Sequence, residues 1–264
     1  MHVEVVAAVA LLAGLWVGAW RAGAGPLPRA RAAAFATGLL LLLAALVGPL
    51  HDRAEASLFA AHMVQHLLLT LGVAPALLAG MPPAWLDRLL EPALRRPWPA
   101  ALARLATRPV PALAAHAAAL LAWHLPATYR LALDAHAWHF LQHATLTVTA
   151  MLAWWPVLAP SRRLPPLPYG ARLLYLFAFG VPMTVLAAMI TGADDPLYPS
   201  ASPTPLADQR LGGILMWVPA GIVPLVAFTV VFFRWVAAER DDPAWDDHPA
   251  GFLPVGNRLP SSGK

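Results

Sequence analysis

The sequence predicts an all-α fold: a polytopic membrane protein built as a seven-transmembrane-helix bundle, N-terminus outside and C-terminus cytoplasmic. Three observations predict it: a composition too apolar for water, seven apolar runs of spanning length, and arginines that favour alternate loops. Of 264 residues, 59% are hydrophobic and only 12% charged, whereas a soluble domain carries roughly a quarter charged residues. A span needs about 20 apolar residues, so the chain has room for seven.

The first run, 3–20, follows Met1–His2–Val3–Glu4, which lacks the positive n-region of a signal peptide and is therefore read as an uncleaved helix. A loop with Arg21, Arg29 and Arg31 precedes the second run, 32–50, which His51 ends; Asp52, Arg53 and Glu55 lead to the third, 57–80. Residues 82–108 are too polar to span. There Trp85, Leu86, Leu89, Leu90 and Leu94, interleaved with arginines, predict an amphipathic interfacial helix on the cytoplasmic surface. The fourth run, 109–125, and the fifth, 137–160, flank Arg130 and Asp134, and Arg162, Arg163 and Arg172 lie around the start of the sixth, 171–192. Asp194, Asp195, Asp208 and Arg210 precede the seventh, 211–236, where Gly212 and Gly213 permit close helix approach and Pro219 and Pro224 predict a bend. The arginine-rich loops are cytoplasmic by the positive-inside rule. The chain thus divides into a transmembrane domain, 1–236, and a flexible cytoplasmic tail, 237–264, rich in Pro, Gly and Asp.

Composition also excludes functions. The net charge of +4 comes from arginines scattered through short loops, which reads as topology and not as a nucleic-acid surface. The absence of cysteine removes disulfides, thiolate metal sites and CxxC redox chemistry. The only lysine is Lys264, so no helix offers an amine for a retinal Schiff base.

With this topology nine of the ten histidines fall in the outer half of the membrane, His248 being the exception. Two segments match: His62–Met63–Val64–Gln65–His66 on the third run and His139–Phe140–Leu141–Gln142–His143 on the fifth. Residues four apart share a helical face, so each segment presents two imidazoles in a column, and both helices enter from the same side. His62 and His66 sit roughly 7 and 14 Å below the outer end at 1.5 Å per residue. If the columns face each other, His62, His66, His139 and His143 converge as metal ligands, as in bundle proteins, with His124, Met63 and Met216 near. Gln65, Gln142, Asp208, His51 and His136 are the residues expected to orient the ligands. A lone intramembrane histidine such as His116 is more often an interhelical hydrogen-bond partner. Imidazole and thioether without carboxylate suit copper, especially Cu(I).

These residues also carry a resemblance. His62 to His66, Trp123–His124–Leu125–Pro126, His139 to His143 followed by Trp154–Trp155–Pro156, and Asp208–Gln209–Arg210–Leu211–Gly212–Gly213 with Met216–Trp217 resemble, in order and spacing, the CtaG family of cytochrome c oxidase assembly factors associated with caa3-type oxidases. The resemblance covers about residues 35 to 236. It implies a non-enzymatic protein of the bacterial plasma membrane that matures a haem-copper oxidase, with an oxidase subunit, the lipid bilayer and a metal ion as partners and no nucleic acid. Two other functions use the same residues. A b-type cytochrome would place haem between axial histidines, and an intramembrane hydrolase would hold zinc, although H-x-x-Q-H has Gln where the general base belongs.

Overall fold

The computed structural model describes residues 2–22 and 28–240; the expected tail lies outside the described residues from position 241 onward, and His248 with it. Every regular element among the described residues is helical. They are α1 (His2–Arg21), α2 (Arg29–Leu46), α3 (Pro49–Glu55), α4 (Phe59–Leu67), a π-helical segment (Leu68–Val73), α5 (Ala74–Gly80), α6 (Pro83–Leu94), α7 (Pro97–Ala106), α8 (Pro109–Trp123), α9 (Pro126–Asp134), α10 (His136–Leu158), α11 (Tyr169–Phe179), α12 (Val181–Thr191) and α13 (Pro205–Arg240). The sequence holds 28 prolines. Many of them start helices, as Pro49, Pro83, Pro97, Pro109 and Pro126 do, where the missing N–H has no intrahelical partner to lose.

Each of the seven apolar runs coincides with helix. By length and composition five are suited to crossing a membrane: Val3–Arg21, Arg29–Leu46, Phe59–Gly80, Tyr169–Thr191 and Pro205–Arg240. A sixth arises if α7 and α8, bent by 71° to each other, act as one. The 23-residue α10 is long enough, but its three imidazoles and Gln142 lower its hydropathy. Apolar side chains such as Leu174, Phe177, Ile222 and Phe233 face outward, the inside-out surface of a lipid-facing bundle.

Three details depart from the simple spans. The run 32–50 is broken at Gly48, whose φ of 85° is open to glycine without strain, so His51 sits on the separate short helix α3. Residues 82–108 form two helices, α6 and α7, where one amphipathic helix was expected. Residues 57–80 are helical from Phe59 but pass through the π segment. This span is the centre of the bundle: 67% of its apolar window is buried, against 11% for α1. The long α13 continues unbroken through Pro219 and Pro224. It packs against α4 at Gly212, where an added Cβ would collide with Phe59, and against α12 at Gly213, where it would meet Thr191.

The arginine-bearing ends gather at one end of the bundle. Arg31 Nη1 donates to the carbonyls of Ala79 and Met81 at 3.2 and 3.0 Å. Ser161 Oγ donates to Asp87 at 2.5 Å, and Arg163 pairs with Glu91 at 3.3 Å. Hydrogen bonding to Arg95 and the charges of Arg95 and Arg163 hold the Glu91 carboxyl below its usual range. The histidine-bearing starts of α4 and α10 lie at the other end.

Candidate metal centre

α4 and α10 run in the same direction. The backbone of α10 lies close to the π segment and α5, and near the helix starts the space between α4 and α10 is filled by imidazoles. His62 and His139 stack at 5.2 Å between ring centroids, His62 lies 5.8 Å from His143, and His66 lies 5.3 Å from His143. The two columns therefore face each other. All four rings are buried.

Within the cluster, one ring nitrogen each from His62, His139 and His143 lie within 4.8 Å of one another. Two nitrogens bound at about 2.0–2.1 Å to one ion lie at most roughly 4.2 Å apart, so ring movements of about an ångström bring the three onto one centre. His66, the fourth expected ligand, is not in that triad. His66 packs at 4.3 Å from His62, 5.3 Å from His143 and 5.5 Å from His124.

Hydrogen bonds fix which atoms are free to ligate. A carbonyl oxygen only accepts, so His62 Nε2–H donates to Gln142 Oε1 at 3.2 Å, which leaves the lone pair on Nδ1. That Nδ1 is buried without a partner, as are His139 Nε2, His143 Nε2 and both nitrogens of His66. An unsatisfied buried polar group costs about 1–3 kcal/mol, so the three triad nitrogens together amount to ~3–9 kcal/mol. A bound cation removes that cost.

The remaining expected residues divide. Gln65 faces away from the triad: its amide donates to the Ala45 carbonyl at 2.7 Å and to His51 Nδ1 at 3.0 Å, while His51 Nε2 lies 3.4 Å from Glu55. Asp208 serves backbone and not imidazole. Its oxygens accept from the N–H groups of Phe59 and Ala60 at 2.8 and 3.2 Å and from Ser200 Oγ at 2.6 Å, so α13 caps the start of α4, the helix that carries His62. His124 Nδ1–H donates to the Leu120 carbonyl at 2.7 Å, and its Nε2 lies 3.3 Å from Met63 Sδ. Met216 is buried in the core with Met63. His136 is exposed at the start of α10 and lines, with Glu55, Ala132, Leu133 and His139, a cavity of about 270 Å³. His116 donates to Thr149 Oγ1 at 3.1 Å and takes no part.

Two residues escaped the sequence reading. Tyr129 is fully buried beside His62 at 5.2 Å, with no partner for its hydroxyl. Tyr198 donates its hydroxyl to the His124 carbonyl at 2.6 Å; burial pushes it up to about 12, so it stays protonated at neutral pH. With only four tyrosines in the chain, two in the segments flanking the histidine end of the bundle were a usable signal. A second cavity, of about 310 Å³, opens between α1, α2 and α10, with Glu4, Leu42, His139, Phe140, His143 and Val148 on its walls.

A family model described as cytochrome c oxidase caa3 assembly factor matches residues 10–238. Comparison with curated proteins and with solved structures finds no match to either.

Proposed function

The chain belongs to the family of caa3-type cytochrome c oxidase assembly factors, and from that premise we propose that it binds copper at the His62, His139 and His143 triad and delivers it to a haem-copper oxidase subunit. The observation that carries this reading is the set of buried, unpartnered imidazole nitrogens converging from α4 and α10. Neutral imidazoles with thioether nearby and no carboxylate in the triad favour copper over hard cations. Copper is cargo here, and the protein performs no reaction on it. Gln142 holds the His62 ring so that Nδ1 faces the centre, and the cavity at Glu55 and His136 provides a polar approach to His139.

The histidine end faces the periplasmic or extracellular side of a bacterial plasma membrane, and α2, the Phe59–Gly80 span, α8, α10, the α11–α12 pair and α13 cross the bilayer together with α1. The arginine-bearing end is then cytoplasmic by the positive-inside rule, with α6 and α7 on that surface.

The alternatives find less support. Rings packed at 5.2 to 5.8 Å across the two columns, with His62 and His139 stacked directly on each other, leave no slot for a porphyrin between them. The hydrolase lacks its base, because Gln142 cannot accept a proton and the oxygens of Asp208 are occupied at the start of α4. The test is metal analysis of the purified full chain after copper loading and removal of loosely held ion. Wild type retains copper, and His62→Ala/His139→Ala loses the triad's equivalent; equal copper in both proteins overturns the proposal.

A further inference from the structure

His124 and Met63 present an arrangement the triad does not explain. The Leu120 carbonyl fixes the proton of a neutral His124 on Nδ1, so Nε2 carries a lone pair. That lone pair meets Met63 Sδ at 3.3 Å, and thioether sulfur is itself an acceptor. Two acceptors buried face to face repel unless something positive sits between them. His66 stands beside them, its ring 5.5 Å from that of His124 and both of its nitrogens unpartnered. Metal bonds of about 2.0–2.1 Å to nitrogen and ~2.3 Å to sulfur, spanned by 3.3 Å, give an angle of roughly 100° at the ion. That angle suits a three- or four-coordinate centre. The position is held from outside as well, since Tyr198 anchors the His124 backbone and Met63 is fully buried.

We propose that Met63 Sδ, His124 Nε2 and His66 form a second, softer site that takes Cu(I), distinct from the His62, His139 and His143 triad. The inference rests on the copper reading above and adds to it a two-position path, with His66 between the all-nitrogen centre and the sulfur-bearing one. Thioether selects Cu(I) over Cu(II) and zinc, so the inner position holds the reduced ion. Transfer between the two is ligand exchange of one Cu(I) ion, with no change in oxidation state and no net proton movement.

The experiment titrates the purified full chain anaerobically with Cu(I) against a chromophoric Cu(I) chelator, and reads the ligand shell by X-ray absorption at the copper edge. Wild type takes up about two equivalents and shows a sulfur scatterer near ~2.3 Å. Met63→Leu, a volume-conserving change, takes up one equivalent with a nitrogen-only shell. His139→Ala takes up one equivalent and keeps the sulfur scatterer. A wild type without a sulfur scatterer, or a Met63→Leu variant with unchanged stoichiometry, overturns the second site; if His139→Ala still loses an equivalent, the triad stands without it. The converse, full uptake in His139→Ala and loss in Met63→Leu, removes the triad and leaves the site proposed here.

Discussion

Gln65 and Gln142 hold the same place in two copies of one five-residue pattern, yet their amides serve different ends. Gln142 accepts from His62 and sets its tautomer, whereas Gln65 donates to the Ala45 carbonyl. That carbonyl has lost its helical donor because the residue four positions on is Pro49. Gln142→Leu leaves His62 without its orienting partner and is expected to weaken copper binding by about 10–100-fold at unchanged stoichiometry; Gln65→Leu is expected to lower stability with little change in affinity. Competition titration beside thermal unfolding checks both, and the reversed pattern would falsify the assignment. The spacing of the imidazoles was legible because four residues return a helix to the same face. The division of labour between the two glutamines was not, because it depends on the rotation of α4 against α2 and α10, which distant packing decides. Asp208 was hidden for the same reason: its partners, Phe59 and Ala60, are about 150 residues away.

Among the elements, the π segment shows how a proline is accommodated in the central span. The Ala74 N–H bonds to the Leu69 carbonyl, five residues back, and the next residue, Pro75, has no N–H to offer. The Thr70 carbonyl is left without a helical donor, and the Trp154 indole supplies one at 3.0 Å, tying α10 to the span just below the imidazoles. Replacing Trp154 with Phe keeps an aromatic ring but strands that buried carbonyl, at an expected loss of about 1–3 kcal/mol, seen as a lower midpoint in detergent-solubilised unfolding while copper stoichiometry holds. An unchanged midpoint would show that this bond carries no stability. Apolar runs located every long helix, because hydropathy along the chain does not depend on how the helix is wound. The same insensitivity concealed the π segment and the break at Gly48, both of which lie inside uninterrupted apolar stretches.

Over the whole molecule, the arginine-rich segments 88–108 and 162–163 meet at one end and the histidines at the other, which turns a rule about loops into a statement about the faces of one body. The chain has no cysteine, so single cysteines report topology without background. A membrane-impermeant maleimide is expected to label Thr204→Cys in intact spheroplasts and to label Arg96→Cys only after lysis; the opposite order reverses the proposed orientation. The cavity between α1, α2 and α10 has a consequence of its own. Two of the triad residues, His139 and His143, stand on its wall beside the outward-facing Phe140 and Val148, and helix does not close it on the outer flank. With the bundle in the bilayer as proposed above, the neighbour along this flank is acyl chain, because an unfilled apolar cleft forfeits dispersion contacts. The imidazole centre thus has one fluid wall. Its stiffness and its shielding from water follow the length and saturation of the surrounding chains, and a preparation in short-chain surfactant rebuilds that wall from different material.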